Sequence, residues 1–200
     1  NSVSHKKEHN SKYFKWLGLA ILILTGIIIY SNSLNASFHF DDHEHIVNNT
    51  KIHDISDVDS WWNYSSNRPV SMFSFVLNYH FHELDVRYYH IANIIIHIIN
   101  AILVWWLSLL ILSSPVIKNN SLVKQKNTIA FFTALLFVSH PLATQAVTYI
   151  IQRQALMAAM FFILSLALYM KGRLMHGKRI TKWLLFSGAL LSFILAALSK

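Results

Sequence analysis

Two hundred residues, 54% of them hydrophobic and only 13% charged, exclude a soluble globular domain and indicate a multi-span membrane protein. The absence of cysteine excludes a disulfide framework, a thiolate metal site and a thiol nucleophile. The net charge of +8 reads as topology rather than nucleic-acid binding, because the cations sit between apolar runs.

In chain order, residues 1–13 form a charged tail. A first span of about 14–34 follows, since crossing a bilayer takes roughly 20 apolar residues. It is too long for a removable signal peptide and lacks a small-residue cleavage site. Further spans are expected at about 89–112, 128–140, 155–170 and 183–199. The third is short and is interrupted at His140-Pro141. It reads as a span ending near His140 followed by an interfacial helix, or as one tilted helix kinked before Pro141. The chain opens on Asn1 and stops at Lys200 at the end of an apolar run, so a fragment or processed chain is expected.

Charge orients the spans. Lys6, Lys7, Lys12 and Lys15 precede the first; Lys118, Lys124 and Lys126 lie between the second and third. Lys171, Arg173, Lys178, Arg179 and Lys182 precede the last. The positive-inside rule then places the N-terminus in the cytoplasm, with residues 35–88 and the segment around His140 outside. The acids agree: of the nine, only Glu8 lies outside residues 41–85.

Within that external loop, Ile52, Ile55, Val58, Trp61 and Trp62 recur at near-helical spacing and predict an interfacial amphipathic helix. In NRPVSMFSFVLNYHF, Asn67 is a candidate cap, Pro69 sits near the first turn, and Val70, Phe73, Leu77 and Phe81 share a face. The N-x-S/T patterns at Asn35, Asn48 and Asn63 are frequent by chance in so Asn-rich a chain.

Three polar features need a reason to exist. The second span carries His90, Asn93, His97 and Asn100 within roughly 80° of helical arc. Polar groups in lipid must face protein or water, so this stripe either hydrogen-bonds other helices or lines a site. The stretch FHFDDHEHI, residues 38–46, has three readings. It is a metal site of His39, Asp41, Asp42, His43, Glu44 and His45, although the spacing matches no standard zinc pattern. It is a general base, because a carboxylate beside another carboxylate near apolar surface takes a proton more readily. Or it is a solvated acidic loop. Finally, Arg153 is isolated among apolar residues, and is either a snorkelling anchor or a phosphate ligand.

The ordered set FDDHEHIVNN, NRPVSMFSFVLNYHF, YYHIANIIIHIINAILV and LLFVSHPLATQAVTYIIQRQALMAAMFF resembles the membrane part of the transmembrane and tetratricopeptide-repeat O-mannosyltransferase family and its bacterial relatives. The resemblance runs from about Asn35 to Tyr169. It implies an all-α integral membrane bundle of the GT-C class with interfacial helices in the first external loop. It implies transfer of a sugar, mannose in eukaryotic members, from a polyprenyl-phosphate donor to an acceptor hydroxyl of a protein or glycan at the extracytoplasmic face. Asp41 and Asp42 match the family's acidic pair, with Asp41 as base and Asp42 assisting. From charge and position, Arg68, His90, Asn93, His97, His140 and Arg153 are the candidate substrate-binding residues. No cofactor is required by this reading, and a divalent cation on His39, His43, Glu44 and His45 is the weaker alternative. The expected partners are the lipid-linked sugar, the acceptor and membrane lipids, with no nucleic acid.

Ala143, Gln145 and Gln152-Arg153 depart from the animal pattern toward the bacterial one, so a bacterial inner membrane is expected over the endoplasmic reticulum. No tetratricopeptide repeat occurs in these 200 residues. The rival functions are a non-enzymatic membrane scaffold or subunit, and a cation or proton transporter using the His/Asn stripe.

Overall fold

The computed structural model describes residues 2–117, 119–177 and 179–200, with side chains from Phe14 onward except Leu122. The charged side chains of the expected tail, and those of Lys118 and Lys178, lie outside the described residues. Every regular element among the described residues is helical. The helices are α1 (Ser2–Tyr30), α2 (Val58–Tyr64), α3 (Pro69–His82), α4 (Val86–Leu112), α5 (Lys126–Ser139), α6 (Ala143–Thr148), α7 (Arg153–Leu174) and α8 (Arg179–Ala197). The molecule is an all-α membrane bundle: four segments, Phe14–Ser33, Val86–Leu112, Ile150–Leu174 and Arg179–Ala197, are long and apolar enough to cross a bilayer.

α4 is the central helix and packs against α1, α5, α6 and α7; α8 packs chiefly on α7. Asp85 starts α4, its side chain accepting the Arg87 backbone N–H at 3.2 Å. No proline or glycine interrupts the 27 residues that follow. α1 approaches α4 closely because of a glycine: a Cβ on Gly26 would lie 2.6 Å from Ile98 Cγ1. Leu22, Ala101, Trp105, Ala130, Phe131, Ala134 and Val138 fill the space among α1, α4 and α5.

The chain breaks between α5 and α7. Pro141 disfavours helical geometry at the residue before it, and His140 is extended (φ −68°, ψ 127°). The segment at His140 is therefore two helices, α5 and α6, rather than one kinked helix. With 14 residues α5 rises about 21 Å, short of a hydrocarbon core of about 30 Å.

Residues 35–85 fold into a cap at one end of the bundle. Its core is Ile46, Ile52, Trp61, Met72, Phe75 and Val76, closed from below by Tyr89, Ile150 and Ile151. Two expectations change here. The helix expected across 52–62 divides into a tight turn at Thr50–Ile52 and the short α2. Asp54 accepts from the backbone N–H and hydroxyl of Ser56 at 2.8 and 2.6 Å, a local turn that competes with helix, and Asp57 caps α2 by accepting the Ser60 N–H. In α3 the cap position is Arg68, not Asn67, with Pro69 as the first helical residue. The α3 face with Phe73 and Phe81 points outward, 41% and 70% exposed, while Met72, Phe75 and Val76 are buried. An apolar outer face is what an element beside lipid requires.

Replacing Gly26 with valine should force α1 away from α4 and cost about 1–3 kcal/mol. A melting temperature in detergent equal to the wild type's would show that the two helices are not in this close contact.

Candidate functional site

A six-residue segment, 149–154, gathers the cap onto the bundle. The Tyr149 hydroxyl accepts the Asp41 backbone N–H at 3.1 Å. The Ile151 N–H donates to Asp42 Oδ1 at 2.8 Å. Gln154 Oε1 accepts from Arg68 Nη1 at 2.7 Å. Arg153 lies between them, pointing into the protein. Residues more than 80 positions apart in sequence are thus joined at one place.

The acidic pair divides into two environments. Phe40 adopts a left-handed backbone conformation (φ 45°), and the chain then turns into a short helical segment beginning at Asp41. Asp42 is buried, and its second oxygen accepts the His39 N–H at 3.1 Å. Burial holds the Asp42 carboxyl above its ordinary range, against the opposing pull of these two N–H groups. Asp41 is exposed. Burial, together with the nearby Asp41 and Asp42 charges, pushes the Tyr149 hydroxyl upward, so the group beside Asp41 stays protonated. Asp42 therefore ties the loop down, and Asp41 presents a carboxylate outward.

Arg153 is fully buried in a membrane-spanning helix, where an uncompensated cation is costly. Its Nε donates to Asn93 Oδ1 at 2.8 Å, and Nη1 to the Ser74 carbonyl at 3.2 Å. Nη2 donates to Asn78 Oδ1 at 2.9 Å and to the Tyr89 carbonyl at 3.0 Å. The guanidinium also lies 4.5 Å from the centre of the Phe75 ring and 5.6 Å from that of Tyr89. Four of its five N–H donors are thus engaged by α3 and α4, which makes it a clamp between them.

The His/Asn stripe divides as well. His90 Nε2 donates to the Ala36 carbonyl at 3.0 Å, and Asn93 Nδ2 to the carbonyls of Val147 and Ile150 at 3.2 and 3.3 Å. Lower on α4, His97 Nε2 donates to the Val138 carbonyl at 3.2 Å, and Asn100 Nδ2 to that of Leu156 at 3.0 Å. Since a carbonyl only accepts, Nε2 carries the hydrogen in both histidines. Nδ1 of each ring is buried without a hydrogen-bond partner among the described residues. His97 and Asn100 line a cavity of about 310 Å³ beneath α6, together with His140, Leu142 and four alanines. His140 is exposed, and its Nδ1 accepts the Leu142 N–H at 3.2 Å.

The cluster FHFDDHEHI does not converge on a metal. His45 Nδ1 is 2.7 Å from the Tyr64 hydroxyl, and His43 and Glu44 are exposed on their own turn. Among the described residues, no group of three His, Asp or Glu side chains has metal-binding geometry.

The structure thus brings Asp41, Asp42, Arg68, Asn93 and Arg153 to the 149–154 junction, with His90 beside it, and leaves His97 and His140 at the cavity. Sequence reasoning missed Tyr149, Gln154 and Asn78. Asn78 alone left a signal, as a polar residue inside the apolar run of α3.

Comparison with known proteins adds a family. The chain is 34% identical over 168 residues to a protein O-mannosyl-transferase of Caenorhabditis elegans, covering 78% of this chain and 23% of the relative. It is 29% identical over 214 residues to Protein O-mannosyl-transferase Tmtc3 of Drosophila melanogaster, covering 94% of this chain and 23% of the relative. It is 27% identical over 168 residues to Protein O-mannosyl-transferase TMTC3 of Homo sapiens, covering 76% of this chain and 17% of the relative. The chain spans less than a quarter of the length of each. These relatives are animal proteins, which weakens the expectation of a bacterial inner membrane. No family model and no solved structure matches the chain.

Arg153→Met should leave Asn93 Oδ1 and Asn78 Oδ1 without their donor at about 1–3 kcal/mol each, and lower the melting temperature accordingly. Asp42→Ala should cost about 1–3 kcal/mol by leaving the His39 and Ile151 N–H groups unpaired. Thermal melting in detergent checks both, and an unchanged midpoint in either variant contradicts its assignment.

Proposed function

Because the chain belongs to the transmembrane and tetratricopeptide-repeat O-mannosyltransferase family, we propose that it forms part of a membrane glycosyltransferase whose reacting groups lie at the cap. The donor is a sugar, mannose by the relatives' names, on a polyprenyl phosphate. The acceptor is a hydroxyl, most simply a protein Ser or Thr. The cap faces the extracytoplasmic side and the N-terminus the cytoplasm, as the positive-inside rule requires.

The chemistry follows from the division of the acidic pair. Asp41 takes the proton of the acceptor hydroxyl as its oxygen attacks the anomeric carbon from the face opposite the phosphate. The bond between that carbon and the phosphate oxygen breaks, its electron pair leaves with the polyprenyl phosphate, and the configuration inverts. Asp42 does not touch substrate in this scheme. By tying residue 39 to residue 151 it holds Asp41 in place, and is a positioning residue. Arg68, exposed and joined to the same segment through Gln154, is the cation suited to the departing phosphate. His140, also exposed, is a second candidate for substrate contact. His90, Asn93, His97 and Arg153 act indirectly, through the frame.

The observation that carries this reading is that one carboxylate of the pair is committed to main-chain N–H groups, while the other is exposed on a residue tied through Tyr149 to the segment whose Gln154 holds Arg68. The stripe's commitment to carbonyls argues against the transporter reading, because its donors are unavailable to a moving ion.

A transfer assay tests the proposal, using membranes that contain the full-length protein and a panel of labelled polyprenyl-phosphate sugars. Asp41→Asn should reduce transfer by about 10²–10⁴-fold while leaving the melting temperature near that of the wild type. Transfer that persists in this variant overturns the base assignment. No transfer from any donor by a folded wild type favours a membrane scaffold.

A further inference from the structure

The end of the bundle opposite the cap is electrically unbalanced. Lys15, Lys124, Lys126, Lys171, Arg173, Arg179 and Lys182 all lie there, on α1, α5, α7, α8 and the connections between them. The described carboxylates all fall in residues 41–85, at the other end. The one ion pair among the described residues, Arg87 with Asp85, is at the cap. Those cations therefore have no protein counter-charge among the described residues.

Within this unbalanced end, one place is shaped. A groove of about 390 Å³ runs between α1 and α4, lined by Lys15, Trp16, Leu19, Ile102, Trp105, Trp106 and Leu109. Trp105 is 7% exposed. The ring itself is fixed: it meets Phe131 edge-on at 5.8 Å, and a Cβ on Gly18 would come within 2.8 Å of its Cη2. Trp16 is 72% exposed, as an indole at headgroup depth is. The groove thus combines an ammonium with no counter-charge among the described residues and apolar walls that continue along α1 and α4 into the membrane.

We propose that this groove binds an anionic phospholipid of the adjacent leaflet, with the Lys15 ammonium donating to its phosphate and Leu19, Ile102 and Leu109 flanking an acyl chain. An anion answers the local excess of positive charge, whereas a zwitterionic headgroup brings its own cation into a region that already holds many. A polar head above apolar walls also matches the amphipathic lining better than a soluble anion does. The site lies at the far end of the bundle from Asp41 and is independent of the glycosyl-transfer reading.

The test is thermal melting of the full-length protein in detergent, with added phosphatidylglycerol or phosphatidylcholine. The wild type should gain more from phosphatidylglycerol. Lys15→Gln should weaken the apparent affinity for it about fivefold while leaving the response to phosphatidylcholine unchanged. Lys182→Gln, at the same end but outside the groove, should not. Retention of the full selective gain in Lys15→Gln overturns the proposal. An equal loss in Lys182→Gln also overturns it, because the effect is then diffuse surface charge and not a site.

Discussion

A backbone cannot break inside a membrane unless something other than water satisfies it, and in this bundle α4 does so. Pro141 ends α5, and the chain turns through α6 before α7 begins at Arg153. The carbonyls left at those turns, Val138, Val147 and Ile150, each accept a hydrogen bond from a polar side chain on one face of α4. His90 does the same for Ala36, where the chain leaves α1. The costs of polar groups in lipid and of irregular backbone in lipid thus offset each other.

Asn93 is the hinge of this arrangement because it uses both ends of its amide. Nδ2 serves the α6–α7 turn, and Oδ1 holds Arg153. Arg153 in turn draws in α3 through Asn78 and the Ser74 carbonyl, which brings the cap down onto the bundle. Asp42 makes the matching connection from the other side of the cap through the Ile151 N–H. The exposed position of Asp41 is a consequence of these interior bonds. A change at Arg153 or Asn93 therefore disturbs the cap without touching its outer surface.

The two ends of the bundle are built for different partners. The cap end holds the described acids and a folded aromatic layer, with Arg68 and Asp41 exposed. The opposite end holds cations with no ion-pair partner among the described residues and a tryptophan-lined groove. This polarity is present in the amino-acid order itself, where every acid after Glu8 falls between residues 41 and 85.

The sequence by itself determined the membrane class, the positions of the long apolar helices, the polar face of α4, the break at His140-Pro141 and the segregation of charge. Each is local: hydropathy, periodicity and proline act within a turn or two of helix. Which of two adjacent aspartates is buried could not be read there, because that depends on an N–H donor 109 positions away. The same holds for Arg153, which looks alike as a surface anchor, a phosphate ligand or an interior clamp until Asn78, Tyr89 and Asn93 surround it. Which face of α3 is inside was not legible for a related reason: beside lipid the outer face is apolar too, so periodicity finds a stripe without saying which side is inside. Tertiary structure decided these points because hydrogen bonds between distant segments, unlike apolar periodicity, leave no regular pattern along the chain.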